Sequence, residues 1–144
     1  MERSALDVAT RSLARRDRSE TDLRRILARK GVADDDAEAA LETLRASGAV
    51  DDRRFAFGAA QTLARKGFGD RAVVFRLGRE GIGRKLAEEA VAALEPEADR
   101  AATAVARRGP GERTMRWLTA RCFSRDSIEH AMAAIAEEEA WELG

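Results

Sequence analysis

Residues 13–44 read LARRDRSETDLRRILARKGVADDDAEAALETL, and residues 63–94 read LARKGFGDRAVVFRLGREGIGRKLAEEAVAAL, the same pattern 50 residues later and without a gap. The apolar skeleton and one glycine recur together, at Leu13 and Leu63, Leu23 and Val73, Leu27 and Leu77, Gly31 and Gly81, Leu41 and Val91, and Leu44 and Leu94. An internal repeat of this length predicts a row of similar modules rather than one continuous core.

A third, weaker copy follows the first two. RGPG at 108–111 echoes KGFG at 66–69, and the positions of Leu77, Gly81, Val91 and Leu94 are taken by Leu118, Cys122, Met132 and Ile135. The spacing shortens from 42 to 41 residues along this copy, which implies one deletion. We therefore divide the chain into three repeats, 1–49, 50–95 and 96–144.

The apolar residues recur at helical spacing, and alternation at period two is nearly absent. Capping and breaking residues divide each repeat into three helices. Ser19 with Asp22 resembles a capping box, Asp34 or Asp35 is placed to cap the third helix, and Ser124 is placed to cap the last. The sequence thus predicts an all-α fold: a tandem array of three three-helix bundles with about nine helices.

Residues that resemble chemical groups of an active site have simpler structural explanations. Gly78 lies inside a helix and predicts a close helix contact, and the GFG of 67–69 predicts a helix–helix turn. Cys122 occupies the slot of Gly31 and Gly81, where a small buried or half-buried residue is expected rather than a nucleophile. His130 has no neighbours at metal-ligand spacing. We expect no catalytic site, no metal and no cofactor.

The net charge is zero, but the charge is not evenly distributed. Residues 1–31, 53–85 and 100–125 carry net charges of +4, +7 and +6, and the segments after them, 32–52, 86–99 and 126–144, carry −6, −5 and −6. The first two helices of each repeat are therefore basic and the third is acidic. Pairing of opposite charges inside each bundle explains part of this pattern.

Stacked repeats would align their basic helices into a stripe suited to a repeating partner, with phosphate backbone as an alternative ligand. The candidate binding residues for such a partner are Arg15, Arg16, Arg24, Arg25, Arg29, Lys30, Arg65, Lys66, Arg71, Arg76 and Arg79. Aromatic residues are too few to form base-stacking platforms. Trp141, in the acidic terminal segment, is expected either to pack the last helix or to act as an exposed anchor.

Three segments resemble the RecX family: LARRDRSETDLRRILARKG at 13–31, DDRRFA at 51–56, and RKGFG at 65–69 followed by LGREGI at 77–82. The resemblance covers nearly the whole chain. The third repeat departs most, because Pro110 and Trp117 accompany a shortened second helix.

The resemblance implies a regulator in which tandem three-helix units form an extended, curved molecule. Such proteins bind in the groove of the RecA recombinase filament on single-stranded DNA. They restrain ATP hydrolysis, strand exchange, filament growth and the co-protease activity that triggers the SOS response. The resemblance implies a regulator rather than an enzyme, and we expect a monomer. The single cysteine suits a reducing cytoplasm, and no stretch approaches the ~20 apolar residues that span a bilayer, so we expect a cytoplasmic protein without a membrane partner. The alternative is a stand-alone DNA-binding protein built from helix-turn-helix-like units.

Overall fold

The computed structural model describes residues 4–144, so the first three residues of the predicted first repeat lie outside the described residues. Within that range the chain forms nine helices and no strand, which confirms the all-α prediction. The helices are α1 (Ala5–Arg15), α2 (Glu20–Arg29), α3 (Asp34–Ala46), α4 (Asp52–Arg65), α5 (Asp70–Arg79), α6 (Arg84–Ala92), α7 (Glu97–Arg108), α8 (Glu112–Ala120) and α9 (Arg125–Leu143).

The helices form three units of three, α1–α3, α4–α6 and α7–α9. Each helix packs against the other two of its own unit, and contacts between helices of different units are sparse. Each unit encloses its own hydrophobic cluster, centred on Leu23, Leu27 and Leu41; on Val73, Leu77 and Ile82; and on Val105, Leu118 and Phe123. The apolar positions that recur in the sequence therefore either fill the cores or border them half-buried, and a fully buried Leu or Val contributes about 1.5–3 kcal/mol.

Side-chain caps set several of the helix starts. Ser19, Asp51 and Ser124 each accept the backbone N–H of the residue three positions later. A cap of this kind contributes about 1 kcal/mol. The predicted cap of α3 was wrong: the helix begins at Asp34 after Ala33, with no side-chain cap. The acids of its first turn instead lie inside the helix, where their charge offsets the positive end of the dipole.

The turn between the second and third helices is the same in every unit. Gly31, Gly81 and Cys122 occupy it with φ of +79°, +80° and +64°. Glycine adopts this left-handed conformation freely, whereas other residues adopt it at an energetic cost. The prediction that Cys122 takes the place of Gly31 and Gly81 is confirmed, because its backbone has the same conformation. Its predicted burial was wrong, because the Cys122 side chain is exposed.

The array is extended. It exposes 9479 Å² of surface, whereas a compact monomer of its 15.8 kDa mass would expose about 7,300 Å². Three small cores in a row leave more surface in water than one large core. Among the described residues, no helix is both long enough and apolar enough to cross a membrane.

Candidate partner-binding surface

The junction between the first two units is held by polar contacts at the start of α2. The Glu20 N–H, at the first position of α2, donates to the Asp52 carboxylate of α4 at 2.8 Å. Burial raises the pKa of Asp52, and the hydrogen bond from Glu20 opposes that rise. Arg54 of the second unit forms an ion pair with Asp17 of the first at 3.1 Å. A side chain of one unit therefore caps a helix of the unit before it.

Two further contacts at this junction involve the C-terminal end of α5. The Arg25 guanidinium donates to the Arg79 carbonyl at 3.0 Å, a cation placed at the negative end of the helix dipole. Gly81 lies directly against Thr21, since a Cβ built on Gly81 would come within 1.9 Å of the Thr21 Oγ1. Only glycine fits this approach, and the left-handed φ of Gly81 favours glycine as well.

The junction between the second and third units repeats the capping device. Glu97, at the start of α7, accepts the Asp70 N–H at 2.7 Å through one oxygen and the Ser124 N–H at 2.9 Å through the other. Burial alone would raise the pKa of Glu97, but the hydrogen bonds from the Ser124 and Asp70 amides and from the Ser127 and Ser124 hydroxyls outweigh it and lower the pKa. Arg100, almost fully buried, pairs with Asp70 at 2.7 Å.

Aromatic rings and guanidinium groups close the other side of this second junction. Gly67 abuts the Trp117 ring, which a Cβ on Gly67 would approach to 2.6 Å. Arg121 lies 4.6 Å from the centroid of the Phe68 ring and 4.7 Å from that of Trp117. Phe68 and Trp117 are therefore half-buried in contacts within the molecule, and residues 67–69 form the expected helix–helix turn.

Five of the predicted binding residues line a groove of about 740 Å³ between the first two units, which we call the junction groove. They are Arg16, Arg25, Lys66, Arg76 and Arg79, and the same groove contains the acids Asp17 and Glu80. Its apolar floor is one face of α4, including Phe55, Ala59 and Leu63. The groove therefore combines an excess of positive charge with an apolar base.

A second, larger groove lies within the first unit and has a volume of about 1320 Å³. It gathers three more of the predicted residues, Arg15, Arg29 and Lys30, together with Arg11 and Arg18. We call it the first-unit groove. Eight of the eleven predicted residues thus line one of two basic grooves.

The other three predicted residues lie outside both grooves. The Arg24 guanidinium holds Glu38 at 2.6 Å, a hydrogen bond that raises the pKa of Arg24 and lowers that of Glu38. Arg65 donates to the Thr62 hydroxyl at 3.2 Å on its own helix. Arg71 is exposed on α5. Arg24 therefore has a structural role that the sequence pattern did not indicate.

Two exposed aromatic residues add to the possible contact surface. Trp141 is 87% exposed, so the expectation that it packs the last helix was wrong, and its role as an exposed anchor stays a prediction. Phe75, on α5, is 67% exposed and was not among the predicted residues. The repeat offset offered a signal for it, because Phe75 stands where the first unit has Arg25 and the third has Arg116.

Comparison with known proteins finds similar sequences among regulatory proteins named RecX. The family model described as "RecX, first three-helix domain" matches residues 5–44. The regulatory protein RecX of Chromohalobacter salexigens is 35% identical over 145 aligned residues, covering 94% of this chain and 92% of that protein. The regulatory protein RecX of Stenotrophomonas maltophilia is 33% identical over 129, covering 83% and 79%.

Two crystal structures share the fold. RecX from Lactobacillus salivarius superposes with a TM-score of 0.79 at 16% identity, covering 92% of this chain and 94% of that one. A second structure, of a regulatory protein RecX, has a TM-score of 0.74 at 22% identity and covers 87% and 69%. At these identities the structures bear on the arrangement of helices alone.

Proposed function

Since the chain belongs to the RecX family of regulatory proteins, we propose that it binds in the groove of the RecA filament on single-stranded DNA and inhibits RecA. The inhibited activities are ATP hydrolysis, strand exchange, filament growth and co-protease activity. We further propose that it acts as a cytoplasmic monomer, without a cofactor, and that residues 1–49, 50–95 and 96–144 are its three contact units.

The separate cores of the array support binding to a repeating partner. Each unit has its own hydrophobic cluster, and the molecule is extended. Units joined in this way can each make a weak contact with a neighbouring subunit, and linked weak contacts multiply into a strong one. A bridge across several subunits would also favour one filament geometry over others.

The junction groove is the observation that carries the proposed contact. Its five cations outnumber its two acids, and the floor of α4 adds apolar surface between them. A surface of this kind suits a protein segment that presents carboxylates around an apolar side chain, because both components are complementary. It is formed by two units together, so it exists only in the assembled array.

The alternative function, stand-alone DNA binding through helix-turn-helix units, is opposed by the charge of α3, although the third helix of the second unit, α6, carries two cations and two acids and is not acidic as the sequence predicted. In such units a helix enters the major groove of a polyanion. α3 begins with Asp34, Asp35 and Asp36, and also carries Glu38 and Glu42. That many carboxylates would repel phosphate on both sides of the groove.

A titration of RecA ATPase activity on single-stranded DNA tests the proposal. Wild-type protein should inhibit hydrolysis, and the double variant Arg16→Glu, Lys66→Glu should inhibit at least about tenfold less, because it reverses two groove cations. Neither Arg24 nor Arg25 is suitable for reversal, since the first holds Glu38 and the second holds the Arg79 carbonyl.

The matched control is Lys85→Glu, Arg113→Glu, two exposed cations outside both grooves, with the same change in net charge. Equal loss of inhibition in both double variants would attribute the effect to overall charge and reject the groove. No inhibition by the wild type would reject the function itself. Binding to bare DNA that exceeds binding to the RecA filament would favour the alternative.

A further inference from the structure

The exposed side of α5 carries an apolar side chain that the free molecule does not use. Phe75 is 67% exposed, although a buried Phe would contribute stability. Leu77 and Val73 on the same helix are fully buried, so α5 already supplies its share of the core. Phe75 thus stands on the outer side as a single large apolar group.

Gly78 is the second unusual feature of this side. It lies in the interior of α5, where glycine is less favourable than alanine, yet a Cβ built on it would meet nothing within 4 Å. The predicted close helix contact is therefore not present among residues 4–144. A glycine that no neighbour in the molecule requires leaves the helix backbone open to close approach from outside.

Helical geometry places these two residues beside two cations. Arg71 and Arg79 stand four residues before and after Phe75, and Gly78 stands three after it, so all four share one face of α5. Arg25 reaches the end of the same helix through its bond to the Arg79 carbonyl. We define the α5 patch as Arg71, Phe75, Gly78 and Arg79.

We propose that the α5 patch docks an acidic helical segment of the protein partner, with Phe75 as the apolar anchor and Arg71 and Arg79 pairing with its carboxylates. This inference rests on the proposed function, because it names the protein component of the filament as the occupant. An aromatic anchor between cations is typical of the centre of a protein interface. Gly78 lets the backbone of the docked segment approach α5 closely.

Single-stranded DNA fits the patch less well. Phosphates would pair with the two arginines, but one isolated ring offers stacking for a single base, and the open backbone at Gly78 has no role in that contact. Carboxylates on a helix satisfy the cations and also use the space above Gly78. The occupant is therefore assigned to protein, and nucleic acid becomes an outcome of the test.

The test measures equilibrium binding of the wild type, Phe75→Ala and Gly78→Ala to RecA filaments on single-stranded DNA and to a bare oligo-dT strand. Both variants should bind the filament at least about tenfold more weakly, and the bare strand as the wild type does. The control is Met115→Ala, which truncates an exposed apolar residue on the second helix of the third unit and should bind as the wild type does.

Gly78→Ala makes this test independent of folding. Alanine favours the helix, so the thermal midpoint of the free variant should equal or exceed that of the wild type while its filament affinity falls. Wild-type filament affinity in both variants would overturn the α5 patch and leave the proposed function standing. Equal losses on bare strand and filament would overturn the assignment to protein. Absence of wild-type binding to the filament would instead reject the proposed function.

Discussion

Gly81→Ala should destabilise the protein more than Gly31→Ala, although the two glycines occupy equivalent turns. Their φ values, +80° and +79°, are nearly identical, so alanine meets the same left-handed penalty of about 1–2 kcal/mol at each. Their surroundings differ. A Cβ at Gly31 would meet nothing within 4 Å, whereas a Cβ at Gly81 would overlap Thr21, with its Oγ1 at 1.9 Å and its Cβ at 2.4 Å.

The overlap at Gly81 sets the expected difference between the two variants. Forcing a methyl group into a filled contact costs about 1–3 kcal/mol beyond the backbone term. For a chain of this size, 1 kcal/mol of unfolding free energy corresponds to a shift of about 3 °C in Tm. Gly81→Ala should therefore melt about 3–10 °C below Gly31→Ala.

The assay combines thermal melting with hydrogen exchange at one amide. The Glu20 N–H bonds to Asp52 across the junction, so its protection should fall in Gly81→Ala and persist in Gly31→Ala. Removing the hydroxyl and methyl of Thr21 in Thr21→Ala, Gly81→Ala should recover part of the loss. Equal melting of the two single variants, with Glu20 protected in both, would refute the tight approach of the first two units at Gly81.

Four further outcomes are expected. The pKa of Glu97 is lowered from 4.5 in the folded state, so this carboxylate stabilises the protein above pH 4.5 and loses that effect as the pH falls through the lowered pKa. In urea titrations, the difference in unfolding free energy between the wild type and Glu97→Gln should therefore narrow on acidification. The pKa of Asp52 is raised from 3.8, so the sign reverses, and the wild type should gain stability relative to Asp52→Asn as the pH falls. Parallel pH profiles for the two pairs would contradict the assignment whose slope is not observed, and flat profiles would contradict both. Cys122→Gly should be about 0.5 kcal/mol more stable than Cys122→Ala, because glycine removes the steric cost of the positive φ but loses part of that gain to the greater entropy of its unfolded chain. A higher urea midpoint for the alanine variant would exclude strain at this turn. In single-tryptophan variants, caesium should quench the fluorescence of Trp141 better than iodide does, because Trp141 is exposed beside carboxylates. Trp117 lies near two guanidinium groups and should be quenched better by iodide.

The fold could be predicted from the sequence because its determinants are local and repeated. The spacing of Leu23 and Leu27 marks one face of a helix, and its recurrence at Val73 and Leu77 marks an equivalent helix. Ser19 and Ser124 cap helices through bonds that span only three residues. Such signals need no knowledge of how the units are placed.

The contacts between units could not be predicted in this way. Asp51 and Asp52 are neighbours with the same chemistry, yet Asp51 caps its own helix while Asp52 caps a helix of the preceding unit. Which acid reaches across depends on the relative placement of two bundles, and no periodicity encodes it. The pair of Arg24 with Glu38 lies within the first unit, but it joins two different helices, so it depends on how those helices pack and not on periodicity.

The candidate surface was accessible to sequence reasoning only in part. Charge counting identified the basic helices, but the division of their cations between two grooves depends on tertiary packing. Phe75 and Gly78 were missed as surface features because a phenylalanine and a glycine in a helix usually indicate core packing. Exposure, which only the structure gives, changes the interpretation of both.

The polar junctions allow the units to diverge independently. The junction of the second and third units depends on a few anchors, including Glu97, Arg100 and Arg121, while each core closes within its own unit. The third unit has lost a residue relative to the second and still meets it through these anchors. Mutations that change the length or core composition of one unit, away from these anchors and the Gly67–Trp117 contact, should therefore disturb the neighbouring core less than their own. Sequence drift can then accumulate at one end of the array while the other end keeps its pattern.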